Sequence, residues 1–325
     1  MTEKQPPERT RKAALGKTWW IAAAVAGGLI LYASDKVVEA LQPVMPQPPK
    51  QIVVTVAPPP VTAFVPPMPP AQYEEAIGPE APNAPQPPPK PPVKTPVTGI
   101  ARVALVIDDC GMSMGQTTPA LNLPKETTLT FLPWGRATPA LARRAHDDGF
   151  DVLLHMPMQP KGSADPGPGA IVPGLPAEEI TKRLEAGLAA VPEAIGMNNH
   201  MGSAATADQP AMQAVMDDLK THPNLFFLDS YTDAHSVAYK TALADGIPAI
   251  RRDVFLDDDM SRAAVDFQLQ RLVKIAHRQG VAVAIGHPHP DTLAALNEWL
   301  AKLKENGIEL VRLKTLVEES QHDTR

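Results

Sequence analysis

Apolar and polar positions along the chain fall into three regimes. Thr18 to Ser34 is an unbroken run without a charge, and between Pro43 and Pro96 apolar residues occur without any period. From residue 99 onward two periods alternate: short apolar runs that read as strands, and longer stretches with apolar positions three and four apart that read as helices. The first run, Val103-Ala104-Leu105-Val106-Ile107, is apolar at every position and rich in β-branched residues, the pattern of a strand buried on both faces of a parallel sheet. It stops at Asp108-Asp109-Cys110-Gly111.

The alternation continues to the carboxyl end. Thr127 to Leu132 predicts a second strand, ending at Pro133-Trp134-Gly135; Thr138 as N-cap, Pro139 at the first position and Gly149 bracket a helix. Phe150 to Leu154 is a third strand ending at His155, followed by a Gly- and Pro-rich stretch from Lys161 to Gly174 long enough for a lid or binding loop. A helix over Ala177 to Ala190 carries Ile180, Leu184 and Leu188 on one face, and a short strand at Ala194 to Gly196 leads into Met197-Asn198-Asn199-His200. Asp208 caps a helix to about Thr221, Leu225 to Leu228 is a strand ending at Asp229-Ser230, and Ile247 to Leu256 holds another around Arg252-Asp253. Ser261 opens a helix to Gly280; Val281 to Ile285 is a strand ending at Gly286-His287-Pro288-His289; a helix over Thr292 to Glu305 and a strand over Ile308 to Leu313 follow. Repeated strand-helix units of this kind predict an α/β fold, a parallel (β/α) barrel of seven or eight strands. A doubly wound open sheet shares the alternation, but no glycine-rich phosphate loop follows the first strand.

Composition separates this domain from what precedes it. Of 38 prolines in 325 residues, twenty lie between Pro43 and Pro96, so residues 35–98 read as a Pro-rich, disordered, polyproline-like linker. Arg9, Arg11, Lys12 and Lys17 precede the apolar run, and Trp19, Trp20 and Tyr32 sit near its ends, where interfacial aromatics belong. Residues 18–34 are therefore expected to be a single transmembrane anchor of the inner (cytoplasmic) membrane, with the basic segment 1–17 inside and residues 99–325 in the periplasm. A cleaved signal peptide is the competing reading, against which Ala33-Ser34 makes a poor small-x-small cleavage site. The net charge of -6, with no basic stripe in the domain, argues against a nucleic-acid partner, and the single Cys110 excludes an internal disulfide.

In a barrel the carboxyl ends of the strands converge on one face, where catalysis and binding are placed. Those ends carry Asp108 and Asp109, then His155, His200, Asp229, and finally His287 and His289, whereas His146, His222 and His277 fall near helix C-termini. Asp108 and Asp109 read either as a turn or cap or as a functional pair. Two adjacent carboxylates at a buried strand end repel each other unless a cation or proton lies between them. A carboxylate with two histidines from separate strands is the composition of a catalytic Zn²⁺ site or that of a related divalent metal.

VALVIDDCG, LLHMPM, MNNHMGS, FFLDS and AIGHPHP, in that order, resemble the divergent polysaccharide deacetylases, relatives of the metal-dependent chitin and peptidoglycan deacetylases. The resemblance implies Asp108 as general base, Asp109 and His155 as metal ligands and His287 as general acid. The mainstream family has a second histidine four residues after the first, where this chain has Gln159, and His200 is the candidate for the missing ligand. The Arg-Pro-rich motif that orients the base in mainstream members is replaced by Asn198-Asn199-His200. Asp229 or Asp253 is expected to orient His287, with capping by Asp229 and an Arg252–Asp253 ion pair as the plain alternatives. Asn199 and His289 are candidates for supporting positions. Trp134 and Tyr231 are candidates to stack on a sugar. Two functions follow: a membrane-anchored, metal-dependent hydrolase removing N-acetyl groups from a cell-envelope polysaccharide or peptidoglycan-like glycan, or a catalytically silent glycan- or partner-binding domain on the same barrel.

Overall fold

The structure, a computed structural model, describes residues 100–322; the expected basic segment, anchor and linker lie outside them. The order is β1 (Ala101–Cys110), α1 (Met114–Thr117), a 3₁₀ turn (Thr118–Asn122), β2 (Thr128–Phe131), α2 (Thr138–Asp147), β3 (Asp151–Met158), α3 (Ala177–Ala190), β4 (Gly196–Met201) and α4 (Gln209–Leu219). Then come β5 (Phe226–Asp229), α5 (Ala238–Ala244), β6 (Ala249–Arg251), β7 (Val254–Phe255), α6 (Arg262–Gln279), β8 (Val281–Gly286), α7 (Pro290–Leu300), β9 (Ile308–Leu310) and α8 (Leu313–His322). Among the described residues, no helix is long and apolar enough to cross a membrane.

All pairings are parallel, in the order β6-β5-β4-β3-β2-β1-β8-β7, with β9 beside the first residues of β1. The sheet's two ends, β6 and β7, are consecutive pieces of one segment: Ala249–Arg251 pairs with β5, and Val254–Phe255 pairs with β8. The strands therefore ring a common interior, as a (β/α) barrel requires. Arg252-Asp253, expected inside one strand, is the break at which the chain changes partner.

Alternation along the strands divides the apolar residues into two cores. Ala104, Val106, Leu153, Leu228, Val283 and Ile285 point inward, and Leu313, Leu316 and Val317 of α8 join them. The amino-terminal end of the barrel is thereby closed; Arg312 reinforces it by donating to Asp151 Oδ1 at 2.8 Å, and Arg102 by pairing with Glu319 at 2.7 Å. Val103, Leu105, Ile107, Leu129, Phe131 and Leu154 point outward, under helix residues such as Leu141, Leu184 and Leu272. Each such fully buried side chain contributes roughly 1.5–3 kcal/mol, so the apolar runs hold both layers at once.

Capping follows the sequence signals at Asp208, whose side chain accepts from Ala211 N, and at Ser261, whose hydroxyl accepts from Ala264 N; Gly280 ends α6 at φ 84°. Thr138 is different. It lies inside α2, and Ala137 holds the cap position, because the Thr138 hydroxyl donates to Leu132 O at 2.6 Å and ties the helix to the end of β2. A Cβ on Gly111 (φ 93°) would lie 2.0 Å from Thr138 Oγ1, so the turn after β1 admits only glycine. α7 starts at Pro290, whose ring pre-sets φ for a first helical position, and stops at Leu300, earlier than the apolar pattern suggests.

Candidate metal centre and active site

The inward row of β1 runs Ala104, Val106 and then Asp108, so strand parity alone sends Asp108 into the interior. The same count turns Thr130 of β2, His155 of β3, and Asn198 and His200 of β4 inward. Both β3 and β4 extend further than their apolar runs: His155 and the whole of Asn198-Asn199-His200 lie within strands, not beyond their ends. Parity would turn Asp109 outward. Instead the β1–β2 ladder changes register between Ile107 and Cys110, and Asp109 adopts φ 54°, a left-handed conformation that costs a non-glycine residue roughly 1–2 kcal/mol. Both carboxylates consequently reach one histidine: His155 Nε2 lies 3.7 Å from Asp108 Oδ2 and 3.3 Å from Asp109 Oδ1.

Three side chains meet there. His200 Nδ1 is 3.0 Å from Asp109 Oδ1 and 3.2 Å from His155 Nε2, and all three residues are buried. Four ligands at 2.0–2.1 Å in a tetrahedron stand about 3.3 Å apart, so the three atoms already hold the spacing of one face of a divalent-metal site. Asp109 Oδ1 is buried and, apart from the two imidazole nitrogens, takes no hydrogen bond, the condition of an oxygen with a coordination bond left to make. Burial on its own would raise the Asp109 pKa, but His200, His155 and His287 around it hold the carboxyl well below the usual range. Two imidazoles and one anionic carboxylate fit a divalent transition metal.

Asp108 is held by neutral donors. Thr130 Oγ1 donates to Oδ1 at 2.7 Å, and Asn198 Nδ2 donates to both oxygens at 3.0 and 2.9 Å. Within the Asn198-Asn199-His200 segment that replaces the mainstream motif, Asn198 contacts the Asp108 carboxylate, and with Thr130 it holds that group without a charge. Asn198 Oδ1 also lies 2.9 Å from His155 Nδ1. Across the site, His287 Nε2 is 3.9 Å from Asp109 Oδ2, while its Nδ1 lies 3.0 Å from Asp257 Oδ1. Asp257 Oδ2 accepts from His287 N and Thr292 Oγ1, both at 2.8 Å. Burial pushes the Asp257 carboxyl up, but the His287 imidazole and these donors bring it below its ordinary value.

Asp257, and neither Asp229 nor Asp253, is therefore the carboxylate on the His287 ring. Asp229 accepts from Tyr231 N, Ser236 Oγ and Tyr239 N, tying down the segment ahead of α5. Asp253 accepts from Val283 N and stitches the break to β8. Arg252 donates to Ser230 O and Tyr231 O, and lies over Phe255, whose ring meets His287 edge-on at 5.5 Å. Asn199 points outward from the barrel and latches neighbouring backbone, accepting from Ser230 N and donating to Met201 O. His289 holds the N-cap position of α7, its ring 5.7 Å from that of His287, and burial together with His287 lowers its pKa. Trp134 is half-buried beneath the long loop: a Cβ on Gly167 would lie 2.7 Å from its indole. That loop is pinned at its far end, where buried Ile171 bridges to Met158. Tyr231 is buried under the Arg251 guanidinium, 4.4 Å from its centroid, a poor platform for a sugar.

Thr130, Asn198, Ser230, Asp257 and Thr292 are the residues sequence reasoning missed. Asn198 was readable by parity with His200 had β4 been drawn through Met201; Asp257, in a loop two residues after β7, carried no such signal.

A family model described as divergent polysaccharide deacetylase matches residues 105–317. The uncharacterized Escherichia coli (strain K12) protein YibQ is 36% identical over 223 residues, covering 69% of each chain. An uncharacterized Haemophilus influenzae protein is 38% identical over 216 residues, 66% of this chain and 76% of that one. The crystal structure of uncharacterized protein ATU2773 from Agrobacterium tumefaciens C58 is similar with a TM-score of 0.64 and 31% identity, covering 67% of this chain and 89% of that chain.

Proposed function

Because this chain belongs to the divergent polysaccharide deacetylase family, we propose that it is a metal-dependent hydrolase that removes N-acetyl groups from a cell-envelope glycan. In this reading residues 18–34 anchor it in the cytoplasmic membrane and the barrel works outside the cytoplasm; the apolar run and the basic residues ahead of it support that placement. The observation that carries the reading is the buried Asp109–His155–His200 triad, with ligand atoms 3.0–3.3 Å apart, flanked by Asp108 on one side and Asp257–His287 on the other.

Asp109, His155 and His200 would hold the cation. When bound, a divalent metal, for which Zn²⁺ best suits this donor set, lowers the pKa of water to roughly 7 and polarises an amide carbonyl. Asp108, clamped by Thr130 and Asn198, takes a proton from the attacking water. His287, kept in register by Asp257 at Nδ1, donates a proton from Nε2 to the departing sugar amine, a poor leaving group without it. Water and amide thus become acetate and free amine. The alternative of a silent glycan- or partner-binding domain rests on the altered motifs; His200 beside Asp109 and His155, and Asn198 on the Asp108 carboxylate, favour the hydrolase.

The test pairs metal content with acetate release from N-acetylated glucosamine oligomers and from peptidoglycan. Asp108→Asn is expected to keep the metal and to reduce release by about 10²–10⁴-fold. Equal release from the variant, or none from the metal-loaded native chain on any N-acetylated glycan, overturns the reading.

A further inference from the structure

We propose that Asn198 is a positioning residue that couples the ligand His155 to the base Asp108 through a single amide, an inference that rests on the hydrolase reading above. The β3–β4 register places Asn198 directly beside His155, and parity turns both inward. Neither residue is exposed, nor is Asp108. The Asn198 amide makes contacts on all sides: Oδ1 with His155 Nδ1 at 2.9 Å, and Nδ2 with both Asp108 oxygens and with Ser230 Oγ at 3.1 Å.

Chemistry fixes which way round the amide lies. An ionised carboxylate only accepts, so the amide nitrogen must face Asp108. The amide oxygen then faces His155 and only accepts, so the imidazole must carry its proton on Nδ1. In the neutral ring Nε2 then carries the lone pair, and it faces Asp109 and His200. A carboxylate at position 198 could only accept and would repel the base, and a hydroxyl has one hydrogen and one oxygen to reach both neighbours; an amide sets two donor hydrogens toward the base and a separate acceptor atom toward the ligand. Ser230 locks the arrangement, since its hydroxyl accepts from Asn198 and donates to Asn199 O at 2.8 Å. One consequence distinguishes this coupling from plain packing. Asp108 contributes none of the three ligand atoms, yet removing it releases the amide that orients His155, so cation affinity should respond.

The experiment uses the full-length chain, with near-UV circular dichroism to establish that each variant is folded. Zn²⁺ affinity is measured by competition with a chromophoric chelator, and histidine-selective ¹⁵N NMR of the metal-free protein reads which ring nitrogen of His155 is protonated. Asn198→Ala is expected to weaken Zn²⁺ binding about 10–100-fold and to remove the preference for the Nδ1–H form. Asp108→Ala is expected to weaken it by at least about threefold, and the double variant to bind no worse than Asn198→Ala alone, since both act through one group. Affinity within about threefold of native in Asn198→Ala, or an unchanged Nδ1–H ring, overturns the inference. If the native chain binds no Zn²⁺, the hydrolase reading falls, and the metal-free NMR comparison still decides whether Asn198 sets the ring.

Discussion

Among the described residues three clusters have the composition of a metal site. Asp257–His287–His289 flanks the centre described above; of the other two, one is Asp109–His155–His200 at the carboxyl ends of the strands and one is Glu185–Asp218–His222, drawn from α3, α4 and the turn after α4. They differ in how much the fold has settled beforehand. In the first, ligand atoms 3.0–3.3 Å apart are fixed by a bulge, by a left-handed aspartate and by an amide on the back of one imidazole. In the second, His222 Nε2 is 2.8 Å from Glu185 Oε1 but 3.9 Å from Asp218 Oδ2, and the Glu185 side chain is 49% exposed. Electrostatics point opposite ways as well. The three histidines hold Asp109 well below its ordinary pKa, whereas burial, offset by Thr181 and reinforced by Glu185, raises that of Asp218. Ligand types in proximity do not make a centre; the prior loss of their freedom does.

The largest effect that sharpens this contrast is on metal stoichiometry. His200→Ala removes one of three ligand atoms from the buried triad and is expected to abolish binding of a single tightly held cation, read by elemental analysis after dialysis. His222→Ala is expected to leave that content unchanged. Metal lost from His222→Ala and kept in His200→Ala would reverse the assignment of the two clusters.

Next in size is Asp257→Asn, which keeps a hydrogen-bonding side chain against His287 but removes its charge. Acetate release should drop about 10–100-fold with metal content intact, as expected for an outer carboxylate that fixes a ring's tautomer. The same change has a signature in pH. The folded pKa of Asp257 is depressed, so its ionised form stabilises the native chain at pH above its unfolded value of about 3.9, and that stabilisation fades as pH falls through the folded value. Asp257→Asn should therefore melt lower than native at neutral pH and converge with it in acid. A constant difference in melting temperature down to the lowest pH at which the chain folds would exclude the charge as the cause.

How much of this was legible in the sequence follows from the two periods. Apolar runs located β1, β3 and β8 because strands covered on both faces tolerate little else, and the histidines that follow them could be assembled on one face without coordinates. Polar residues buried inside a strand broke that logic. β4 reads Gly196-Met197-Asn198-Asn199-His200-Met201, and its polar middle looks like a loop, so the inward Asn198 was passed over for the outward Asn199. The bulge at Asp108-Asp109 was equally hidden, since nothing in two aspartates says that the second adopts φ 54°. Asp229 ends a strand and Asp253 flanks one, which puts both near His287 in the sequence pattern; backbone donors at Tyr231, Tyr239 and Val283 hold them instead. Asp257 could be found only once the β7 segment had been laid beside β8.

The smallest expected effect tests the second cluster on its own terms. Asp218 is buried beside Glu185, and its raised pKa means that the folded state favours the protonated carboxyl. The sign is opposite to that of Asp257: its contribution is fully present below the unfolded pKa of about 3.9 and is lost as pH rises through the folded value. At neutral pH the ionised Asp218 is a liability that His222 and Thr181 only partly offset. Asp218→Asn retains the shape and the hydrogen-bonding capacity while removing that charge, so it should raise stability at pH 7 by up to about 1 kcal/mol, or about 2–4 °C in melting temperature, and have no effect below pH 4. A cation held there would give the reverse, because each Asp218→Asn molecule would lose a charged ligand: the variant would melt lower than native in the presence of Zn²⁺ and equal to it with chelator. Melting curves of native and variant, with Zn²⁺ and with chelator, separate a buried acid under strain from a second metal site.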